Sequence, residues 1–175
     1  MPHHHACTHH ARRSSATPER LWAAALAVPV RETRTLRPII AWRLGRYSPS
    51  ADEPLRDVLA AHPFTLLGEE AMVSVSGLAG KLWMLGDSFP RFAGPDAYRD
   101  WQEPGFCKVA VRHEVRPHAR GSEILSEVRI WCTDWGAQLR FRPYWAFIGP
   151  FSRFIGSEVL SAATRRAERT SAATS

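Results

Sequence analysis

The clearest pattern along the chain is an alternation of apolar and polar residues at 122–134, SEILSEVRIWCTD. A two-residue period rich in β-branched residues is typical of a β-strand. Asp134 then offers a helix N-cap, and roughly thirty residues without strand signal follow it. A long helix that follows a strand directly must lie across the sheet of that strand, because its apolar side has nowhere else to pack. We therefore predict a C-terminal helix that covers a β-sheet.

Other segments alternate in the same way and predict strands at 64–70, at 72–80 with a continuation through 81–84, and at 106–115. Helical spacing predicts short helices at 18–28, 54–61 and 96–101. Segment 31–46, interrupted by Pro38, fits either a strand or a helical turn. Strands joined by hairpins and followed by a long helix indicate an α+β fold, with helices on one side of an antiparallel sheet.

The first 15 residues are rich in histidine and show no apolar period. We predict a flexible terminus or one short edge strand at 1–15. Adventitious metal capture by the imidazoles is the alternative, but no carboxylates or cysteines complete a site there, so no metal site is predicted. The rest of the chain shows no repeat and no boundary, which predicts one domain at 16–169 and a disordered tail at 170–175.

The composition is that of an ordinary globular protein, with 45% hydrophobic and 23% charged residues in a chain of 175. No apolar run approaches the roughly 20 residues of a membrane-spanning helix. Segment 21–30 resembles the core of a signal peptide, but Pro18, Glu19 and Pro29 fit better with a capped helix. The three cysteines are odd in number and unevenly spaced, which favours reduced thiols and a cytoplasmic location.

The net charge of +6 raises the question of an acidic partner. Nearly all of the positive charge is arginine, spread over the whole chain, with Lys81 and Lys108 as the two lysines. Codon bias in a GC-rich genome explains this composition, and no basic cluster indicates a nucleic-acid interface. We predict no nucleic-acid partner and no integral membrane association.

Three segments resemble one known superfamily. LSEVRIWCTD followed by RFRPYWAFIGPFSRFI and LSAATRRAER, the early ATPERLWAAA, and VSGLAGKLW are similar to members of the START/Bet v 1-like (SRPBCC) superfamily, often described as polyketide cyclase/dehydrase and lipid-transport-like proteins. The resemblance covers roughly 16–169 and includes no catalytic motif. It implies a helix-grip fold, in which a curved antiparallel sheet wraps the C-terminal helix around a cavity. It also implies an apolar small-molecule ligand, and in some relatives aromatase/cyclase chemistry.

The candidate ligand-binding residues are mainly large apolar side chains, because tryptophan and phenylalanine both fill cores and line sites for ring-shaped or acyl ligands. Phe141, Trp145 and Ile148 share one side of the C-terminal helix, opposite Leu139 and Phe147, and either roof a pocket or form plain core. The remaining apolar candidates are Trp83, Phe89, Trp101 and Phe106, of which Phe89 and Trp101 lie in a loop suited to a lid.

Glu127 and Arg129 share one face of their predicted strand. We favour a solvent-facing ion pair, and the alternative is a pair inside the cavity that binds a ligand carboxylate or hydroxyl. No catalytic triad spacing, catalytic residue or cofactor motif is evident.

Three functions are therefore compatible with the sequence. The first is non-catalytic binding of an apolar, lipid-like or aromatic molecule between sheet and helix. The second is an aromatase/cyclase-type enzyme that uses His113, Glu127 or Arg129. The third is a structural or interaction protein whose cavity is filled. The oligomeric state is left open.

Overall fold

The computed structural model describes residues 4–33, 38, 47–84 and 88–172. Within them, the strands are β1 (Ala6–Ser14), β2 (Thr65–Glu70), β3 (Val73–Gly80), β4 (Cys107–His118) and β5 (Gly121–Cys132). The α-helices are α1 (Pro18–Leu26), α2 (Leu55–Ala60), α3 (Pro95–Asp100) and α4 (Trp135–Ala172), with a 3₁₀ turn at Val30–Glu32. The fold class is α+β, as the order of the predicted elements indicated.

The strands form one antiparallel sheet in the order β1-β5-β4-β3-β2. Among the described residues β1 and β2 form its two edges, so the sheet is open. Successive side chains of a strand point to opposite faces, and the register gives each face a defined set. We call the face that carries Ile124, Ile130, Val109 and Leu78 the inner face, because these residues are buried.

Helices α1 and α4 pack on the inner face, in two separate apolar clusters. One cluster joins α1 and the C-terminal half of α4 to Val115 and Ile124, and includes Leu21, Trp22, Leu160 and Ala163. The other joins the start of α4 to the opposite end of the strands, and includes Ile130, Cys132, Ala137 and Phe141. Burial of this apolar surface is the main force that holds the helices on the sheet.

Helix α4 begins where the sequence predicted. The Asp134 carboxylate accepts a hydrogen bond from the Ala137 N–H at 2.9 Å and another from the Gly105 N–H. These bonds lower the pKa of Asp134. Polar contacts also tie α4 to the edge strand β1: Arg12 donates to the Ser161 hydroxyl, and Ser14 donates to Glu168 at 3.0 Å.

The outer face of the sheet is partly covered by α3 and the segments beside it. Lys108 lies on this face and is only 2% exposed. Its Nζ donates to the carbonyls of Arg99 and Trp101, each at 3.0 Å, and lies 4.7 Å from the centre of the Tyr98 ring. These carbonyls end α3, so the buried ammonium fixes the helix to the sheet. Desolvation lowers the pKa of Lys108.

Two sequence-based expectations are wrong in detail. Strand β3 ends at Gly80, and Lys81–Met84 forms a turn closed by the Met84 N–H and the Lys81 carbonyl at 2.8 Å, instead of continuing the strand. The predicted disordered tail at 170–175 is helical as far as Ala172, and residues 173–175 lie outside the described residues. The first expectation was wrong because the apolar spacing of residues 81–84 matches a strand, whereas the chain turns there.

Of the two alternatives for residues 1–15, the edge strand is observed from Ala6 to Ser14. Residues 1–3, and most of segment 31–46, lie outside the described residues. Helix α4 continues through Pro143 and Pro150. None of the described helices is long and apolar enough to cross a membrane.

Candidate functional site

A row of polar side chains crosses the inner face between the two apolar clusters. His10 on β1 is paired with Ser126 on β5, Ser126 with His113 on β4, and His113 with Ser74 on β3. Directly opposed residues of neighbouring strands have Cβ atoms about 5 Å apart and point to the same face. Four strands therefore contribute four adjacent polar side chains, which we call the polar row.

A second row beside it is polar only at its ends, where Thr8 and Ser76 flank Val128 and Val111. Both Thr8 and Ser76 are buried. The Thr8 hydroxyl has no hydrogen-bond partner among the described residues. A buried hydroxyl without a partner costs about 1–3 kcal/mol.

The polar row borders a small cavity between the inner face and helices α1, α2 and α4. The cavity has a volume of about 30 Å³. His113 and Ser74 contribute its sheet side, and the exposed Arg56 of α2 lies at its rim. The other lining residues are apolar: Trp22, Ala25, Leu26, Leu55, Leu59, Ile124 and Val159.

His113 is the titratable group at the centre of this arrangement. Its side chain is half-buried and lines the cavity. Burial lowers its pKa to about 4, because a charged imidazolium is poorly solvated there. At neutral pH the ring is therefore uncharged, and it can donate one hydrogen bond and accept another.

The backbone of α4 approaches the polar row closely at Gly156. A Cβ atom at this position would overlap the His10 ring and lie 2.8 Å from His10 Nε2. Glycine allows the helix to sit directly against the histidine, a position where any larger residue requires a shift of one of the two. Sequence reasoning placed neither residue in a site.

The structure divides the predicted ligand-binding residues between the two faces. Phe89, Trp83, Phe141 and Trp145 pack in the inner-face cluster at the start of α4. Phe141 is 2% exposed and stacks on Trp145, with ring centres 5.5 Å apart. Phe141 and Trp145 also line an open groove with His5, Gln138, Arg142 and Ala146. Ile148 is half-buried.

Trp101 and Phe106 belong instead to the aromatic group beside Lys108. Their ring centres are 5.1 Å apart, and Phe92 lies 5.4 Å from Trp101. The Trp101 carbonyl accepts from Lys108, which lies on the outer face. Trp101 and Phe106 are therefore not brought together with Phe141 and Trp145.

Glu127 and Arg129 also lie on the outer face, by alternation with Ser126 and Ile130. Arg129 Nε donates to Glu127 Oε1 at 2.6 Å, and their side chains are 40% and 21% exposed, respectively. Burial raises the pKa of Glu127, but the hydrogen bond and charge of Arg129 outweigh it, and the net pKa is lowered. This is the solvent-facing ion pair that the sequence favoured.

Comparisons with known proteins do not name a family. No family model matches the chain, and no curated protein matches it. Among solved structures it is similar to protein TTHA0849 from Thermus thermophilus, with 11% identity and a TM-score of 0.38 over 95% of this chain and 99% of that one. It is also similar to protein CV1439 from Chromobacterium violaceum, with 14% identity and a TM-score of 0.33 over 96% and 99%. Neither likeness supports an argument about function.

Proposed function

We propose that this protein binds an apolar small molecule carrying a polar group, between the inner face of the sheet and helices α1, α2 and α4, without catalysing a reaction. The polar row carries the proposal. Burying polar side chains at the centre of an apolar interface costs free energy unless they are hydrogen-bonded, whereas a few such groups inside an apolar site orient a ligand. The proposal includes a helix-grip arrangement, membership of the START/Bet v 1-like superfamily and a cytoplasmic location.

The lining of the cavity supports this chemistry. Seven of its ten lining residues are apolar, and the polar ones, Ser74, His113 and Arg56, come from three different elements. A ligand hydroxyl or carbonyl can pair with the neutral His113 ring or with the Ser74 hydroxyl. The apolar remainder of the ligand would contact α1 and α2. A lipid-like or aromatic molecule with one polar end fits this distribution.

The cavity must enlarge to accept such a ligand, because about 30 Å³ is the volume of roughly one water molecule. Helix α2 is the shortest of the three helices that line the cavity. It has six residues and no side-chain cap at its N-terminus. Its Arg56 forms an exposed ion pair with Glu69 on β2 at 3.0 Å, a contact worth less than about 1 kcal/mol. Leu55 and Leu59 of this helix cover the cavity, so movement of α2 would open it.

An aromatase/cyclase-type enzyme is the second candidate, and only part of the geometry favours it. Of the three acid–base residues suggested for that chemistry, His113 faces the cavity, while Glu127 and Arg129 lie on the opposite face of the sheet. A histidine with a pKa of about 4 is a poor general base near neutrality, because it binds a proton weakly. Binding without reaction therefore fits the site better.

Native mass spectrometry of protein purified from its own host tests the proposal. The binding function predicts a co-purified small molecule, whose mass is unchanged after release and renewed incubation with the protein. A changed mass would favour the enzyme. Absence of any bound molecule, together with no binding of fatty acids or polycyclic aromatics added to the protein, would favour a filled-cavity structural or interaction protein and contradict the proposal.

A further inference from the structure

Two cysteines oppose each other on neighbouring strands, at the end of the sheet where α4 begins. Cys107 on β4 is paired directly with Cys132 on β5. Their Sγ atoms are 3.0 Å apart, although the residues are 25 positions apart in the chain. Both side chains are buried, at 0% and 3% exposure.

The backbone around the pair has the geometry that a disulfide requires. The Thr133 N–H donates to the Phe106 carbonyl at 2.9 Å, so the adjacent residue pair is the hydrogen-bonded one. Cys107 and Cys132 therefore form a non-hydrogen-bonded pair, in which Cα atoms lie about 4.5 Å apart. Disulfides span Cα distances of about 4.4–6.8 Å. Closing the bond requires the sulfur atoms to approach by only about 1 Å.

We propose that Cys107 and Cys132 are an oxidation site, at which a hydroperoxide closes a disulfide between β4 and β5. One thiolate attacks the peroxide oxygen, the O–O bond breaks, and the leaving oxygen takes up a proton as water or alcohol. The resulting sulfenic acid is then attacked by the second thiol, which forms the S–S bond and expels water. Two thiols and one hydroperoxide give one disulfide, one water and one further water or alcohol. This site is independent of the proposed ligand-binding function.

The contact between the two sulfur atoms is symmetric, since either thiol can donate the hydrogen bond. Either cysteine can therefore attack the peroxide, and the other one resolves the sulfenic acid. The third cysteine, Cys7, is exposed on β1 beside Glu127, and desolvation and the Glu127 charge raise its pKa. Cys7 serves as an internal reference.

The position of the pair connects its redox state to α4. Ala137 and Phe141 of this helix belong to the same packed cluster as the two cysteines. Two residues separate Cys132 from Trp135, where the helix begins. A disulfide would fix the end of the β4–β5 hairpin under the helix and would restrict the unfolded chain. Oxidation should therefore raise the Tm by several degrees.

The test is mass spectrometry after treatment of the full chain with hydrogen peroxide, a probe small enough for buried thiols. The protein is then denatured and alkylated with iodoacetamide. The proposal predicts that reduced protein takes up three alkyl groups and oxidised protein one, at Cys7. Two peptides linked through Cys107 and Cys132 should appear, with a mass two hydrogen atoms below the summed masses of the two reduced peptides. In Cys7→Ser the corresponding counts are two and none.

Three results of this mass spectrometry would overturn the proposal: full alkylation of Cys107 and Cys132 after oxidation, addition of two or three oxygens to either without a linked peptide, and a disulfide that involves Cys7. Cys107→Ser and Cys132→Ser serve as single-thiol variants, with circular dichroism to confirm that they fold. In at least one of these variants the sulfenic acid at the remaining cysteine of the pair should persist and react with dimedone. Absence of dimedone labelling at Cys107 and Cys132 in both variants would contradict the mechanism.

Discussion

His113 and Ser126 are direct cross-strand partners on the sheet face that the helices cover. The pair lies at the centre of the polar row, with His10 beyond Ser126 and Ser74 beyond His113. Apolar clusters lie on both sides of the row along the strands. The polar row is therefore a break in the core, and the predictions below test its parts.

His113 makes stability depend on pH. Its folded pKa of about 4 lies below the roughly 6.5 of an unfolded histidine, so between these values the unfolded chain binds more protons. Stability contributed by the neutral ring is fully present above pH 6.5 and is lost as the pH falls towards 4. The loss amounts to roughly 3 kcal/mol. Urea unfolding of the protein and of His113→Gln, from pH 7 to pH 4, measures it.

The contribution of His113 is the difference in the pH dependence of the free energy of unfolding between the unmodified protein and His113→Gln. Other groups with shifted pKa values, such as Glu114 and Asp134, are common to both proteins. His10 of the polar row and Arg56 of α2 are titratable neighbours of His113, and they are retained in both proteins too. The free energy of unfolding of the unmodified protein should fall more steeply over this range. Parallel curves would show that the ring is solvated in the folded state.

Gly156→Ala should destabilise the protein, although glycine to alanine in a helix normally stabilises by up to about 1 kcal/mol. The added Cβ overlaps the His10 ring, and such overpacking costs about 1–3 kcal/mol. Adding His10→Ala removes the overlap, so the double variant should recover the loss. Chemical unfolding of the four proteins in a double-mutant cycle gives the coupling. Additive effects would mean that the helix and the histidine are not in contact.

Lys108→Met should loosen α3 without unfolding the sheet. The substitution keeps much of the side-chain volume but leaves the Arg99 and Trp101 carbonyls without their donor, a loss of about 1–3 kcal/mol per unpaired group. Hydrogen exchange should accelerate in residues 95–106 and stay unchanged in β5. Lys81→Met is the matched control, because it makes the same substitution at a lysine whose ammonium lies 4.9 Å from the Phe106 ring. The α3 carbonyls keep their donor, Lys108, in this variant. Equal exchange in both variants would contradict the role of Lys108.

The two sides of α4 should respond differently to the same substitution. Phe141 is 2% exposed and Phe147 is 70% exposed. Phe141→Ala should cost about 3–5 kcal/mol, because it leaves a cavity in the core. Phe147→Ala should change the free energy of unfolding by less than about 0.5 kcal/mol. Urea unfolding of both variants checks the orientation of the helix, and similar costs would show that Phe147 is covered in solution.

The elements that could be predicted depend on local signals. The alternation around Ile124 and Ile130 gave the strand, and Asp134 gave the helix start, because both patterns lie within a few residues. The outward ion pair of Glu127 and Arg129 also follows from alternation on one strand. The end of β3 at Gly80 could not be predicted in this way, since Lys81–Met84 has strand-like spacing.

The polar row could not be predicted from its residues one at a time. Ser74, His113 and Ser126 are ordinary in their own strands, and they become neighbours only through the register of three strands. Alternation did place His113 on the same side of its strand as Val109 and Val111. This alternation indicates a site only when the cross-strand partners of His113 are known. The pairing of Cys107 with Cys132 could not be predicted for the same reason.

The most direct test of the proposed binding site compares two alanine-to-leucine variants of α1. Ala25 lines the cavity, whereas Ala23 on the same helix is exposed. Both variants are purified from the native host, and the bound fraction is measured by native mass spectrometry. The account predicts that Ala25→Leu loses the co-purified molecule while Ala23→Leu retains it at the level of the unmodified protein. Equal retention by both variants would contradict binding at the polar row.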